Sequence, residues 1–539
     1  MSNGAQLRRA GFWDEENRRL LILCFAAVFG WGLAAHAYGF LRSGFSHDML
    51  NALVADSVED YWKLQLGRPG IVLYRRLFRG PVAAPWTVGL LSLVWLSLSC
   101  FLTAKLFRIP GWLFPVLTAG ILTVNVSMIG MTAGYLYETD ANLFAVLAGV
   151  CAVLLWDRLG WKGALAGIPL VAFCTATYQS LVSVPATLAM LLCLAALLRG
   201  DRASAVFRRG LQAVMMLALG VLLYWLGLRL LCALTGVSLS MDGYNSMNRA
   251  GLPLTPADRL LAVYRSWIAA FWRPSEAHIE PVVLCVDILL PMAALLKLAP
   301  WLFRRGQADG TADTQAAGLP EKLLFLVLTL LLPLGMNTAQ LLFPVAVHDL
   351  MKYAFWLFRL FCLLPFFLLP SGRHRAWQRG VAAALVLVVL LAQAKTANVI
   401  YTRRALEQDA CLSFMTRVVY QLEEREDYIP GETPLVFVGI GSQLQERMPG
   451  FEDTYDITGC ESSTPITKSL VSYSYNTYAA YFRYYLNNPA RMADTGTWMQ
   501  LQRDARVKEM PQYPDPGCMQ MLDGILVVKL SDFRSGALF

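Results

Sequence analysis

The chain has 539 residues, of which 56% are hydrophobic and only 16% are charged, whereas an ordinary soluble domain has about 25% charged residues. Apolar runs of roughly 18–23 residues recur along it, each long enough to cross a hydrocarbon core of about 30 Å. A soluble globular protein is therefore excluded. The net charge of +8 does not by itself indicate nucleic-acid binding, because membrane proteins concentrate Lys and Arg in their cytoplasmic loops.

The apolar runs predict an all-α polytopic membrane protein with about eleven transmembrane helices. Residues 1–19 precede the first run, and the runs occupy residues 20–399. The predicted transmembrane helices are Leu20–Phe40, Pro85–Phe107, Trp112–Met131, Asn142–Trp156, Gly163–Tyr178, Ser180–Leu198, Leu211–Leu234, Pro281–Leu302, Leu323–Phe343, Tyr353–Leu369 and Val381–Asn398.

Positively charged residues fall in alternate connections between these helices, as Arg208 and Arg209 do between the sixth and the seventh. By the positive-inside rule, these connections and the N-terminus are cytoplasmic. The intervening connections, which include loops 41–84, 132–141 and 235–280, are then extracytoplasmic. The same alternation places everything after about residue 398 outside.

Residues 400–539 differ in kind from the apolar runs. Two β-like runs, PLVFVGI and GILVVKL, alternate with helix-like stretches and with Gly and Pro turns. This pattern predicts a small extracytoplasmic α/β domain. Because that compartment permits disulfides, we expect Cys460 to pair with Cys518, with Cys411 left free; other pairings stay open.

Loop 41–84 carries candidate catalytic carboxylates. Asp48 directly follows His47, a few residues after the first predicted helix. A partly desolvated carboxylate at the water–lipid boundary can act as a general base. The alternative is that Asp48 caps a helix that lies parallel to the membrane. Asp56 and Glu59 are reserve candidates.

The turn at 132–141 adds Tyr137, Glu138 and Asp140. Two acidic connections above one bundle can converge, so we predict Glu138 and Asp140 as further catalytic residues and Tyr137 as a substrate-binding residue. The simpler alternatives are that Asp140 caps a helix and that the tyrosine anchors the membrane interface.

Cationic residues in the extracytoplasmic loops predict a phosphate site. The candidates are Arg68 in LGRPG, Arg249 in loop 235–280 and Lys352 in the turn HDLMK. Guanidinium groups are well shaped to bind phosphate. The alternative for each residue is contact with ordinary lipid head groups.

No motif for a protein-only metal site is present, since the chain has five histidines and neither CxxC nor HExxH. A divalent metal held jointly by carboxylates and phosphate stays open. No Gly-rich nucleotide loop follows a strand in the cytoplasmic parts, which favours a sugar donor carried by a lipid.

These features together resemble those of bacterial membrane glucosyltransferases of the O-antigen-modifying, type II serotype-converting family, which belongs to the GT-C class. The resemblance covers most of the membrane region, in order. It is carried by SHD at 46–48, GR at 67–68, YETDANLFAVLAGV from Tyr137, ATYQSLVSV at 176–184 and MKYAFWLFRLFCLLPFF from Met351.

The resemblance implies a GT-C fold in the bacterial inner membrane, a polyprenyl-phosphate-linked glucose donor and a cell-surface polysaccharide acceptor. It implies that Asp48 is the catalytic carboxylate. Family members often have two adjacent acids at this point, whereas here the neighbours are His47 and Met49. Within the matching motifs, His47 and Gln179 are the predicted substrate-binding residues.

Two other functions stay open at this stage. A polymerase or ligase would move whole oligosaccharides, and the large C-terminal region would suit its acceptor. A flippase for a lipid-linked glycan would explain Arg229 and Arg359, which lie inside apolar runs, because charge at that depth indicates a function or a paired partner.

Overall fold

The computed structural model describes residues 14–42, 57–240, 255–272, 280–303, 317–342, 347–370, 375–439 and 479–532. The helices in chain order are α1 (Glu15–Leu41), α2 (Ser57–Gln65), α3 (Pro69–Tyr74), α4 (Pro85–Phe107), α5 (Leu113–Thr123), α6 (Val126–Gly134), α7 (Leu136–Leu159), α8 (Trp161–Thr177), α9 (Ser183–Leu198), α10 (Ala203–Thr235), α11 (Pro256–Trp272), α12 (Pro281–Phe303), α13 (Leu319–Met336), α14 (Thr338–Leu342), α15 (Phe358–Leu368) and α16 (Arg375–Glu423). Three other helical segments connect them: the π-helical turn Arg75–Arg79 and the 3-10 segments Gln179–Val182 and Asp349–Leu357.

Within the described residues, each predicted transmembrane segment is mainly helical. Within the described ranges, nine helical segments are long and apolar enough to cross a membrane, two of which combine α9 and α15 with the 3-10 segments that precede them. α5 and α6, bent by 43°, bring the number to ten if the pair is counted as one span. The remaining predicted span is α8, whose 17 residues rise about 26 Å at roughly 1.5 Å per residue. The prediction of an all-α polytopic membrane protein is confirmed.

The bend between α5 and α6 is organised by one asparagine. The Asn125 side chain accepts a hydrogen bond of 3.0 Å from the backbone N–H of Met128, and its amide donates one of 3.1 Å to the carbonyl of Ile121. Asn125 thus caps α6 and also binds the end of α5. The predicted single helix Trp112–Met131 is therefore two helices.

The central and peripheral helices of the bundle are distinguished by burial. Nearly every residue of α9 is buried, whereas α10 buries only a stripe that faces α8 and includes Gly220 and Tyr224. A Cβ at Gly220 would lie 2.5 Å from Val171, so glycine permits this close packing. The remaining apolar surface of α10 is exposed, as expected of a helix that faces lipid.

The last helix, α16, has 49 residues and is about 74 Å long at roughly 1.5 Å per residue. It runs through the predicted boundary between the domains 20–399 and 400–539. No Gly or Pro interrupts residues 399–423, so nothing in the chain breaks the helix there. Its extension is joined to the end of α1 by an ion pair of 2.9 Å between Arg42 and Asp409.

A four-stranded sheet follows α16. Its strands are β1 (Pro434–Val438), β2 (Arg491–Met492), β3 (Met519–Leu522) and β4 (Ile525–Lys529), in the spatial order β2-β1-β4-β3. β1 is parallel to β2 and β4, and β3 is antiparallel to β4. The two β-like runs of the sequence correspond to β1 and β4, and the small C-terminal α/β region is confirmed.

The two faces of this sheet are covered by different helices. Leu435 and Phe437 of β1 belong to the same core as Met415 and Val418 of α16. The alternate residues of the strand face a second cluster that contains Trp498. The helices on that side are α17 (Thr495–Leu501) and α18 (Ala505–Glu509). Cys518 is buried, and its predicted partner Cys460 lies outside the described residues.

Charged side chains lie at both ends of the bundle. At the end where α7 terminates, called the basic end, Asp157 accepts hydrogen bonds of 2.6 Å from both Arg108 and Arg209. The opposite end, where α7 begins, is called the site end. It carries Glu138 and Asp140 in the first turn and a half of α7.

Candidate functional site

Three short segments, α2, α3 and the π-helical turn, form one side of the site end. Gly67 has a φ of 69°, which glycine adopts without strain, and Pro69 begins α3, where its missing N–H costs no hydrogen bond. Gly70 lies against the end of α8, since a Cβ there would be 2.5 Å from Thr177 Oγ1. The sequence LGRPG therefore forms a tight turn that places Arg68 beside the bundle.

Glu138 forms an ion pair with Lys63 of α2, and the side chains of both residues are almost completely buried. The Lys63 ammonium also donates a hydrogen bond of 3.3 Å to the hydroxyl of Tyr137 and lies 5.1 Å from the centre of its ring. A buried carboxylate is stable as an anion only when a cation compensates for its lost hydration. Lys63 thus holds the Glu138 carboxylate and the Tyr137 ring in one group.

Asp140 pairs with Arg79 of the π-helical turn, with 2.8 Å between the Asp140 Oδ2 and the Arg79 Nε. The same guanidinium donates a hydrogen bond of 2.8 Å to the carbonyl of Tyr137. The hydroxyl of Tyr74 also hydrogen-bonds Asp140, and burial together with the Asp140 charge raises the pKa of Tyr74. The phenol therefore stays protonated and remains a donor to this carboxylate.

Arg75 is the third paired cation of the site end. Its Nη1 lies 3.2 Å from a carboxylate oxygen of Asp60. The neighbouring Arg76 is 3.8 Å from the other oxygen of Asp60, but its side chain is 75% exposed. Asp60 therefore holds Arg75 in the interior, whereas Arg76 extends away from the buried group.

Arg68 differs from these cations. Its guanidinium stacks on the ring of Tyr178 at 4.6 Å, and its Nε is buried. It is close enough to Glu138 to interact with it electrostatically, but no carboxylate among the described residues forms an ion pair with it. Arg68 is thus a half-buried guanidinium of the site that can accept an added anion.

Gln179 and Tyr224 contact the same turn from the other side. The Gln179 Nε2 donates hydrogen bonds to the carbonyls of Leu66, at 3.0 Å, and Gly67, at 3.2 Å. The Tyr224 hydroxyl donates one of 2.8 Å to the carbonyl of Gly67. The amide nitrogen of the predicted substrate-binding residue Gln179 is thereby engaged with the backbone just before Arg68.

Lys352, predicted as a phosphate ligand, forms an ion pair of 2.7 Å with Asp349. Both residues lie in the 3-10 segment that packs against Gln179–Val182. The carbonyl of Asp349 accepts a hydrogen bond from Ser127 Oγ, which fixes this segment on α6. Lys352 therefore lies in a neighbouring element and already has a carboxylate partner.

Several predicted site residues cannot be placed. His47, Asp48, Asp56 and Arg249 lie outside the described residues, and the side chain of Glu59 is likewise not described. Among the residues that the structure does describe, no group of three His, Cys, Asp or Glu side chains gathers to hold a metal ion.

The two arginines inside apolar runs have different surroundings. Arg359 forms a bidentate ion pair with Asp287 of α12, at 3.0 and 2.8 Å, and both side chains are buried. Arg229 lies on the exposed face of α10 and stacks on Trp225 at 5.2 Å. One arginine thus has a paired partner inside the bundle, and the other lies on its outer surface.

Sequence reasoning missed Lys63, Tyr224 and Asp287. Tyr224 and Asp287 are polar residues inside apolar runs, which is the signal that identified Arg229 and Arg359, so the same rule would have found them. Lys63 lies in the amphipathic segment DYWKLQ, where a lysine is unremarkable. Only the fold, which packs α2 against α7, reveals its partner.

The fold and the site define a polytopic membrane protein with a buried, charge-paired polar site at one end of its helix bundle. A family model described as Glucosyl transferase GtrII matches residues 38–420, which include every described residue of this site. The chain belongs to this family of glucosyltransferases, as its resemblance to the serotype-converting enzymes indicated. No curated protein and no solved structure matches the chain.

Proposed function

We propose that this membrane glucosyltransferase takes glucose from a polyprenyl phosphate and transfers it to a hydroxyl of a cell-surface polysaccharide. The reaction takes place on the outer side of the bacterial inner membrane, in a fold of the GT-C class. That the transferred sugar is glucose follows from the family to which the chain belongs. The donor, the acceptor and the side of the membrane are inferred from the site and from the distribution of charged residues along the chain.

The observation that carries the proposal is the charge balance around Arg68. Lys63, Arg75 and Arg79 each face a carboxylate, whereas Arg68 stacks on an aromatic ring. A phosphodiester donor brings one negative charge to the site, and its phosphate gains a second when the sugar leaves. A guanidinium held in place for this charge stabilises the departing lipid phosphate.

The chemistry requires one base and one cation. The acceptor oxygen forms a bond to the anomeric carbon, the bond from that carbon to the phosphate oxygen breaks, and the lipid phosphate keeps the electron pair. The acceptor proton passes to a carboxylate, for which Asp48 is the proposed residue. Glu138 and Asp140 stay predicted catalytic residues, and their ion pairs favour a supporting role in which they hold Lys63 and Arg79.

The distribution of charge favours an outward-facing site. The basic end carries Arg108 and Arg209 around Asp157, as expected of the cytoplasmic side. α7 runs from the site end to the basic end, so its first turn lies on the opposite side. A lipid-linked sugar is the form of donor that suits an enzyme on that side.

Transfer by the purified protein tests the donor directly. The protein is reconstituted in lipid and given either labelled glucose on a prenyl phosphate or labelled nucleotide glucose, together with the isolated surface polysaccharide. We expect label in the polysaccharide only from the lipid donor, and a loss of about 100-fold in Arg68→Ala. Transfer from the nucleotide sugar alone would reject the proposed donor.

The product distinguishes the remaining functions. Mass spectrometry of the surface polysaccharide, with and without the protein, is expected to show one added hexose per repeat. A polymerase or ligase would instead change chain length. The flippase hypothesis depended on Arg229 and Arg359, of which one is exposed and the other is paired with Asp287.

A further inference from the structure

Tyr224 is the polar residue on the buried, otherwise apolar face of α10. Its neighbours Leu222, Leu223, Trp225 and Leu226 are exposed on the outside of α10, whereas Tyr224 is buried and its hydroxyl donates to the carbonyl of Gly67. A hydroxyl in apolar surroundings costs free energy unless it is hydrogen-bonded. Its hydrogen bond therefore fixes α10 to the turn that precedes Arg68.

Gln179 completes this contact. Its Nε2 donates to the carbonyls of Leu66 and Gly67 and lies 3.2 Å from the Tyr224 hydroxyl oxygen. Two consecutive carbonyls are thus bound by side chains from two different parts of the bundle. This arrangement leaves the backbone before Arg68 little freedom to move.

The segments Leu66–Arg68 and Tyr178–Gln179 also position the guanidinium of Arg68 itself. Arg68 directly follows the two bound carbonyls, and the ring on which it stacks belongs to Tyr178, the residue before Gln179. Backbone and side chain of Arg68 are therefore held by one continuous set of contacts.

We propose that Gln179 and Tyr224 are positioning residues, which hold the carbonyls of Leu66 and Gly67 so that Arg68 is fixed for the donor phosphate. The inference rests on the proposed phosphate-binding role of Arg68. Preorganisation of a cation saves the cost of ordering a flexible side chain when the ligand binds. Gln179 thus acts through Arg68 and need not touch the sugar.

A double-mutant cycle tests this inference. Tyr224→Phe and Gln179→Met are each made in the native protein and in Arg68→Ala, and kcat/KM for prenyl-phosphate glucose is measured in reconstituted membranes. Tyr224→Phe removes only the hydroxyl. Tyr264→Phe is the matched control, because Tyr264 of α11 likewise donates to a backbone carbonyl, that of Leu330, at 2.6 Å.

In the native background, we expect a loss of about fivefold for Tyr224→Phe and about tenfold for Gln179→Met, which removes two hydrogen bonds. The KM for the acceptor polysaccharide and the yield of folded protein stay unchanged. In the Arg68→Ala background neither substitution causes a further loss, because residues that act through one group are not additive. Tyr264→Phe behaves like the native protein in both backgrounds.

Three results would overturn the inference. Equal losses in both backgrounds would reject the positioning role and leave the phosphate role of Arg68 intact. Glucose transfer at the native rate by both Tyr224→Phe and Gln179→Met would likewise reject the positioning role and leave the phosphate role of Arg68 intact. Native transfer by Arg68→Ala would reject the phosphate role and, with it, this inference. If Gln179→Met does not fold, the cycle with Tyr224→Phe decides alone.

Discussion

Two regions of the helix bundle bury ion pairs, and they differ in what surrounds those pairs. Within the bundle, the Arg359 guanidinium binds both carboxylate oxygens of Asp287, and the ring of Trp356 lies 5.1 Å from it. Carboxylate and guanidinium match each other in charge and in shape. This pair joins α12 to α15, and it has the character of a structural contact.

At the site end the charges are not matched in the same way. The pair Lys63–Glu138 lies near Arg68. The Arg68 guanidinium stacks on an aromatic ring and forms no ion pair with any carboxylate that the structure describes. A buried ion pair therefore does not by itself identify the functional site of this protein. The additional cation is what distinguishes a site for an anionic substrate.

The largest expected effect concerns the interior pair. Asp287→Ala leaves Arg359 buried without a counter-ion, which costs about 3–5 kcal/mol, so we expect most of the protein to be lost as aggregate. The double variant Asp287→Leu, Arg359→Met removes both charges and is expected to restore folded yield and transfer together. Size-exclusion chromatography and the transfer assay measure the two quantities.

If the double variant folds but cannot transfer glucose, the interior pair has a functional role and the comparison fails. If Asp287→Ala alone folds as well as the native protein, the pair is not needed to compensate for burial. Arg42→Ala, in the exposed part of the fold, is the matched control for loss of an arginine.

The corresponding experiment at the site end should give a different pattern. Lys63→Met leaves Glu138 without its ion-pair partner, but Arg68 and Arg75 are near. We therefore expect the loss of folding free energy to be smaller than that of a fully uncompensated buried charge, which is about 3–5 kcal/mol. The double variant Lys63→Met, Glu138→Leu is expected to restore folded yield, whereas transfer stays about 100-fold below native. Recovery of transfer would make this pair equivalent to the interior one.

The smallest expected effect is that of the exposed pair between Arg42 and Asp409, whose side chains are 56% and 58% accessible. Exposed pairs contribute about 0–1 kcal/mol. Asp409→Ala is therefore expected to lower the unfolding temperature of the purified protein only slightly and to leave transfer unchanged. A large loss of either would show that the link between α1 and α16 matters more than its exposure suggests.

The sequence alone predicts those parts of the fold that depend on local pattern. Each apolar run indicates a helix wherever it packs, and PLVFV and ILVVK indicate strands by their composition. The helix-like stretch ALEQDACLSFMTRVVYQLEER was recognised, but its continuity with the preceding apolar run in α16 was missed, because the change from apolar to polar residues was interpreted as the end of a helix. This change in composition reflects different surroundings of the helix and does not end it, because Arg403 and Gln408 have about the same helix propensity as leucine.

The ion pairs could not be predicted in this way. Arg359 and Asp287 are 72 residues apart. Lys63 lies 74 residues before Tyr137, which directly precedes its ion-pair partner Glu138. Which charges meet over such distances depends on how the helices pack, and no local pattern records it. Arg68 could be selected because it is a cation in a predicted extracytoplasmic loop. Its stacking on Tyr178 and the hydrogen bond from Tyr224 to the neighbouring Gly67 appear only in the folded chain.

Binding of a prenyl monophosphate, the lipid product of the proposed reaction, tests the central claim most directly. Its affinity is measured for the native protein, Arg68→Ala and Arg76→Ala in the same lipid; Arg76 is the control because its side chain is 75% exposed. We expect Arg68→Ala to weaken binding at least about tenfold, as loss of a charge-assisted hydrogen bond does, and Arg76→Ala to bind as the native protein does. Equal affinity in Arg68→Ala and the native protein would contradict the claim that this guanidinium receives the lipid phosphate.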